Sequence, residues 1–238
     1  GVTISPDGSA LFVTDFFSHK IRRVEVATGA VTAIAGSGED GDADGMGDAA
    51  QFNAPADLAI SPDGSALFVA DSDSHKIRRV EVATGAVTTL AGSGEIGDAD
   101  GVGGAAEFCC PWGVTVSPDG SALFVADYSS HKIRRVEVAT GAVTTLAGSG
   151  EEGDADGVGG AAQFNWPHGL VISPDGSALF VADCDNHKIR RVEVATGAVT
   201  TLTGSGARGS ADGVGGAAQF KHPTALAISP DGSTLSVC

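Results

Sequence analysis

Histidine and aspartate recur together in this sequence, and that pair is the first place to look for chemistry. His19, His75, His131 and His187 each stand four residues after an aspartate: Asp15, Asp71, Asp127 and Asp183. An imidazole oriented by a carboxylate is half of a catalytic dyad and part of many metal shells. One active site needs one such pair, yet here it is repeated unchanged, so it reads as a structural clamp across a hairpin. The loop Asp40-Gly41-Asp42-Ala43-Asp44-Gly45 matches the first six positions of a calcium-binding EF-hand loop. Its twelfth position is Gln51 instead of the bidentate Glu, and no flanking helices are evident. Asp40, Asp42 and Asp44 are therefore a partial calcium set. The alternative is a solvated turn whose last carboxylate (Asp44, Asp100, Asp156 or Asp212) bonds its own backbone. Cys109, Cys110, Cys184 and Cys238 follow no regular spacing and do not read as a disulfide framework. No Ser/His/Asp triad or phosphate-cradling motif is readable, so no catalytic residue, cofactor or resident metal is expected.

The elements that must position these residues come from a repeat. Ser-Pro-Asp-Gly-Ser begins at Ser5, Ser61, Ser117, Ser173 and Ser229, a spacing of 56 residues. The string HKIRRVEVATGAVT follows unchanged from His19, His75, His131 and His187. Each period reads as four short strands. Strand a (for example Gly169-Leu-Val-Ile-Ser) leads into the Ser-Pro-Asp-Gly turn, where Pro presets φ and Gly accepts a positive φ. Strand b is Ala-Leu-Phe-Val-Ala-Asp, strand c is Lys-Ile-Arg-Arg-Val-Glu-Val, and an Ala-Thr-Gly turn leads to strand d. The adjacent arginines Arg22-Arg23 interrupt the aliphatic alternation of strand c and suggest a bulge there. No segment has a helical period. Four-stranded units cannot bury two apolar faces alone, but stacked around an axis they can. The expected fold is therefore all-β, a β-propeller of four-stranded antiparallel blades in one domain over 1–238. The blades are expected at about 1–36, 56–92, 112–148 and 168–204, with a partial one at 224–238.

The block from Phe164 to Gly206, with its Phe-x-x-Pro lead-in, Val181-Ala182-Asp183 and Asn186-His187 before a basic residue, resembles the NHL repeat. The resemblance covers essentially the whole chain, although only the fourth copy has Asn before the histidine. It implies a six-bladed ring, which would need about 336 residues, so the chain is expected to be a fragment of one. Related six-bladed propellers include peptidyl-hydroxyglycine lyases, which hold a central metal with histidines, and gluconolactonases, which use acidic residues and Asn. On that resemblance His168, His222 and Asp57 lie near the channel mouth. The two histidines are not at equivalent positions and no third ligand is identifiable. The expectation is accordingly a non-enzymatic binding or scaffold propeller, with a metal-dependent lyase or gluconolactonase-like hydrolase as the alternative.

The copies differ in two places, the b–c turn and the lead-in to strand a. Up-and-down strand order puts both at one end of each blade and the invariant turns at the other. The variable positions include Phe16, Phe17, Asp57, Trp112, Tyr128, Trp166, His168 and His222, among them both tryptophans and the single tyrosine. Such residues favour recognition surfaces, so a protein or small-molecule partner is expected there. A net charge of −16 argues against a nucleic-acid partner. No stretch has the length and apolarity of a membrane-spanning helix. The sequence does not specify a compartment. A fragment with open blade faces is expected to self-associate.

Overall fold

The computed structural model describes all of residues 1–238. The first copy forms strands a to d at Val2–Ile4, Ala10–Asp15, Lys20–Glu25 and Val31–Ala35. The second forms them at Pro55–Ile60, Ala66–Asp71, Lys76–Glu81 and Ala86–Ala91. In the third they are Pro111–Val116, Ala122–Asp127, Lys132–Glu137 and Ala142–Ala147. The fourth has Pro167–Ile172, Ala178–Asp183, Lys188–Glu193 and Ala198–Thr203. A last pair, Leu226–Ile228 and Leu235–Val237, repeats strands a and b. In the first, second and fourth copies strand a pairs with b, b with c and c with d, all antiparallel. There is no α-helix, only single 3-10 turns.

Contacts divide the chain into two compact units, residues 1–123 with 136–143, and 124–135 with 144–238. In the first unit strand b of the second copy is buried at all six positions, which explains its unbroken apolar run. Phe12, Phe52, Leu58, Leu67, Val69, Val80 and Val87 form one cluster there. In the second unit Phe164, Leu179, Val181, Ile189 and Val192 are buried in the same way. Strand d is only partly buried: Val87 and Val199 are covered, while the threonines and leucine that follow each are partly or fully exposed.

The irregularity expected at the paired arginines is present, but its extra residue belongs to strand d. Strand c pairs with strand b without interruption, so Arg78 simply shares a face with Val80. The register slips against strand d instead: Ile77 faces Ala91 but Arg78 faces Thr89, leaving Leu90 as the extra residue. Leu202 occupies the same place in the fourth copy. A two-residue strand, Gly45–Met46, also pairs with the next strand d through Val87 and Ala86. It was not readable from sequence, because two residues including a glycine carry no alternation.

Candidate functional site

The repeated Asp and His do not clamp one another. Asp71, fully buried, receives the Arg78 guanidinium at 2.8 Å and the Asn53 backbone N–H at 2.7 Å. Burial pushes its carboxyl up to about 6, against the opposing pull of the Arg78 guanidinium. Arg78 is also wholly buried. It donates to the carbonyls of Gln51 and Ala43 and to Asp44 Oδ1 at 2.8 Å, and it lies over the Phe52 ring. Arg190 repeats the arrangement with Asp183, Gln163, Ala155, Asp156 and Phe164. This arginine is thus the hub that fastens the acidic loop to the blade. The pairing has a signal in sequence, since Asp71 and Arg78 are diagonal neighbours on one face once the hairpin register is set.

The same contacts account for the partial calcium loop. Asp44 accepts from Arg78 and Thr89 rather than from its own backbone, and Asp42 accepts from Lys76. The cations beside Asp42 hold its carboxyl below the usual range. Asp40 is exposed, and its backbone bridges to Phe52.

Each histidine instead reaches the lead-in of the next copy. In the first unit His19 Nδ1 accepts the Ala54 N–H at 3.2 Å and His75 Nδ1 the Cys110 N–H at 3.1 Å. In the second, His131 holds Trp166 at 3.2 Å and His187 holds His222 at 3.3 Å. The held residues all have left-handed φ, between 50° and 53°. That conformation costs a non-glycine residue about 1–2 kcal/mol, which this hydrogen bond and the packing around it offset. Burial keeps His75 and His131 below the ordinary imidazole range, preserving the neutral ring whose Nδ1 lone pair the contact needs. Sequence reading missed this clamp because Ala, Cys, Trp and His give no hint of positive φ.

The clamp brings each b–c turn against the following lead-in, and that is where side chains vary. In the first unit Phe16 packs on Phe17 (5.0 Å between centroids) and also reaches Trp112 in the lead-in of the third copy (5.8 Å), while Phe17 is 90% exposed. In the second, Tyr128 lies 4.5 Å from Trp166 and 5.8 Å from His168. The His168 Nδ1 stands 2.9 Å from the Thr224 carbonyl, and burial lowers its pKa. Asp57 and His222 stand outside these aromatic groups. Asp57 accepts the Val114 N–H at 3.2 Å, and burial pushes its carboxyl up. His222 meets Cys184 and Asp185. At the invariant end, two near-identical cavities of about 310 and 300 Å³ repeat between Ser-Pro-Asp-Gly turns, lined by Arg23 and by Arg79. A feature copied this faithfully cannot distinguish one ligand site from the next.

A family model described as lactonase, 7-bladed beta-propeller, matches residues 27–216. The chain belongs to this β-propeller family, with NHL-type repeats. It is 37% identical over 192 residues, 76% of its length, to NHL repeat-containing protein 2 of Bos taurus. It is 30% identical over 244 aligned positions, 98% of its length, to the chloroplastic protein SUPPRESSOR OF QUENCHING 1 of Arabidopsis thaliana. The chain spans about a quarter of these relatives, 26% and 23% of their lengths. An auxiliary nutrient binding protein from Bacteroides thetaiotaomicron superposes with a TM-score of 0.76 at 16% identity, over 99% of this chain and 55% of that one. The family model describes seven blades where the NHL resemblance implies six. No helix is long and apolar enough to cross a membrane.

Proposed function

We propose that the chain is a non-enzymatic binding propeller whose b–c turns and lead-ins contact a protein or small-ligand partner. The observation that supports this reading is where the variation falls. Framework residues, most of the phenylalanines among them, are buried and repeated between copies, whereas the aromatics that differ between copies, Phe16, Phe17, Trp112, Tyr128 and Trp166, are half-buried or exposed in the turns and lead-ins. Partly exposed aromatic pairs on a rigid frame contribute contact area at little entropic cost. The structural likeness to a nutrient-binding protein and the relatives' NHL repeats are in keeping with it.

The test is binding of a peptide and glycan library to the chain and to two variants, Phe17→Ala/Trp112→Ala and Tyr128→Ala/Trp166→Ala. A control variant, Thr28→Ala/Thr84→Ala, alters the invariant turns. Binding that falls at least tenfold in an aromatic variant, with the control unchanged, supports the reading. Equal affinity in all four proteins removes it.

The family model favours one other reading, a lactonase-like hydrolase. Lactone hydrolysis that is lost on chelation, returns with added metal and survives both aromatic pairs of substitutions would support the hydrolase over the binding propeller.

A further inference from the structure

The fourth copy departs from the others at the junction between its b–c turn and the next lead-in. Where the first copy has Phe16-Phe17 before Ala54, and the third has Tyr128-Ser129 before Trp166, the fourth sets Cys184-Asp185 against His222. Cys184 Sγ lies 3.9 Å from His222 Nδ1, which lies 3.0 Å from Asp185 Oδ1. All three ligand atoms fall within 4.8 Å of one another. A tetrahedral zinc ion with bonds of about 2.0–2.3 Å needs its ligand atoms about 3.5 Å apart, so small side-chain rotations suffice.

We propose that Cys184, Asp185 and His222 form a zinc site that staples the fourth b–c turn to the last, partial copy. Sulfur, imidazole and one carboxylate are a donor set for zinc and not for calcium or magnesium, which take oxygen. Metal binding deprotonates the Cys184 thiol and releases its proton to solvent. His222 is held in place for ligation, since its backbone N–H is clamped by His187, whose ring packs edge-on at 4.6 Å. Three protein ligands leave a fourth position for water. The segment the site would fasten is weakly buried: every residue of Leu226–Ile228 and Leu235–Val237 is at least partly exposed.

The site is tested with the full 238-residue chain and two metals, zinc for stoichiometry and cobalt(II) for spectroscopy. One zinc per chain after dialysis is expected, together with a thiolate-to-cobalt charge-transfer band in the near ultraviolet. Cys184→Ala should abolish the band. Asp185→Asn and His222→Gln should each weaken zinc by at least the 10–100-fold typical of losing an outer-shell partner. Both of these positions are 42% exposed, so the two variants fold even if Cys184→Ala does not. A Cys109→Ala/Cys110→Ala/Cys238→Ala variant should retain the band. Zinc should also slow proteolysis within residues 222–238. The proposal is overturned if no band forms, if the band survives Cys184→Ala, or if it disappears with the other three cysteines.

Discussion

Arg78→Ala should be among the costliest single substitutions in the chain, and Arg79→Ala, its neighbour, among the cheapest. The Arg78 guanidinium is fully buried and bonds two carboxylates and two carbonyls. Removing it leaves Asp71, itself fully buried, as an uncompensated charge, which costs about 3–5 kcal/mol. Arg79 is partly exposed beside an open cavity, where loss of such a side chain costs about 0–1 kcal/mol. Against a domain stability of about 5–15 kcal/mol, the difference is easily read. Urea unfolding followed by far-ultraviolet circular dichroism measures both. An Asp71→Leu/Arg78→Met double variant should lose less than the sum of its parts, because each single variant leaves a buried charge without one of its partners, whereas the double leaves only the half-exposed Asp44 without the guanidinium. Part of the loss should remain, since the Asn53 N–H and the carbonyls of Ala43 and Gln51 still lack a partner. If Arg78→Ala and Arg79→Ala cost the same, the arginine hub is not what holds the acidic loop.

Glycine at the end of strand d should discriminate sharply. A Cβ on Gly92 (φ 108°) would meet the His75 carbonyl at 2.4 Å, whereas one on Gly8 (φ 73°) meets nothing within 4 Å. Gly92→Ala should therefore lower the melting temperature well beyond Gly8→Ala, whose cost is only the roughly 1–2 kcal/mol of left-handed backbone. Acid should loosen the turns in a defined window. Ser-bonded Asp7, Asp63, Asp119, Asp175 and Asp231 are each lowered to about 2 from an ordinary value near 3.8. The unfolded chain binds these protons first as pH falls, so this contribution is present above about pH 4 and is lost toward pH 2. Urea midpoints that do not rise between pH 2 and 4 would contradict it. The first copy leaves Val2 63%, Ile4 54% and Val31 49% exposed, while Val87, equivalent to Val31, is 2% exposed. Each such side chain is worth about 1.5–3 kcal/mol when covered, so the chain should self-associate in sedimentation and Val2→Asp/Val31→Asp should return it to monomer.

The blade pattern was legible because its strands are short, its turns carry Pro-Asp-Gly or Thr-Gly, and both signals recur at one spacing. What the sequence hid depends on neighbours. Arg78 and Arg79 look alike in sequence, and only the register of the c strand buries the first and leaves the second partly exposed. The slip that accommodates this sits across the ladder, at Ile34, Leu90 and Leu202. Asp and His looked like partners because they flank one turn, but each bonds elsewhere, to strand c and to the next copy. Copy-to-copy differences in the b–c turns and lead-ins drew attention to Phe16, Trp112, Tyr128 and Trp166. The same comparison did not single out Cys184 and Asp185 beside His222, whose sequence positions lie 37–38 residues apart.

Hydroxyl-radical footprinting with whatever ligand the library yields tests the binding account most directly. Protection is predicted at Phe16, Phe17, Trp112, Tyr128 and Trp166, with the Ser-Pro-Asp-Gly and Ala-Thr-Gly turns unchanged. Protection confined to those invariant turns, with the aromatics fully reactive, would contradict it.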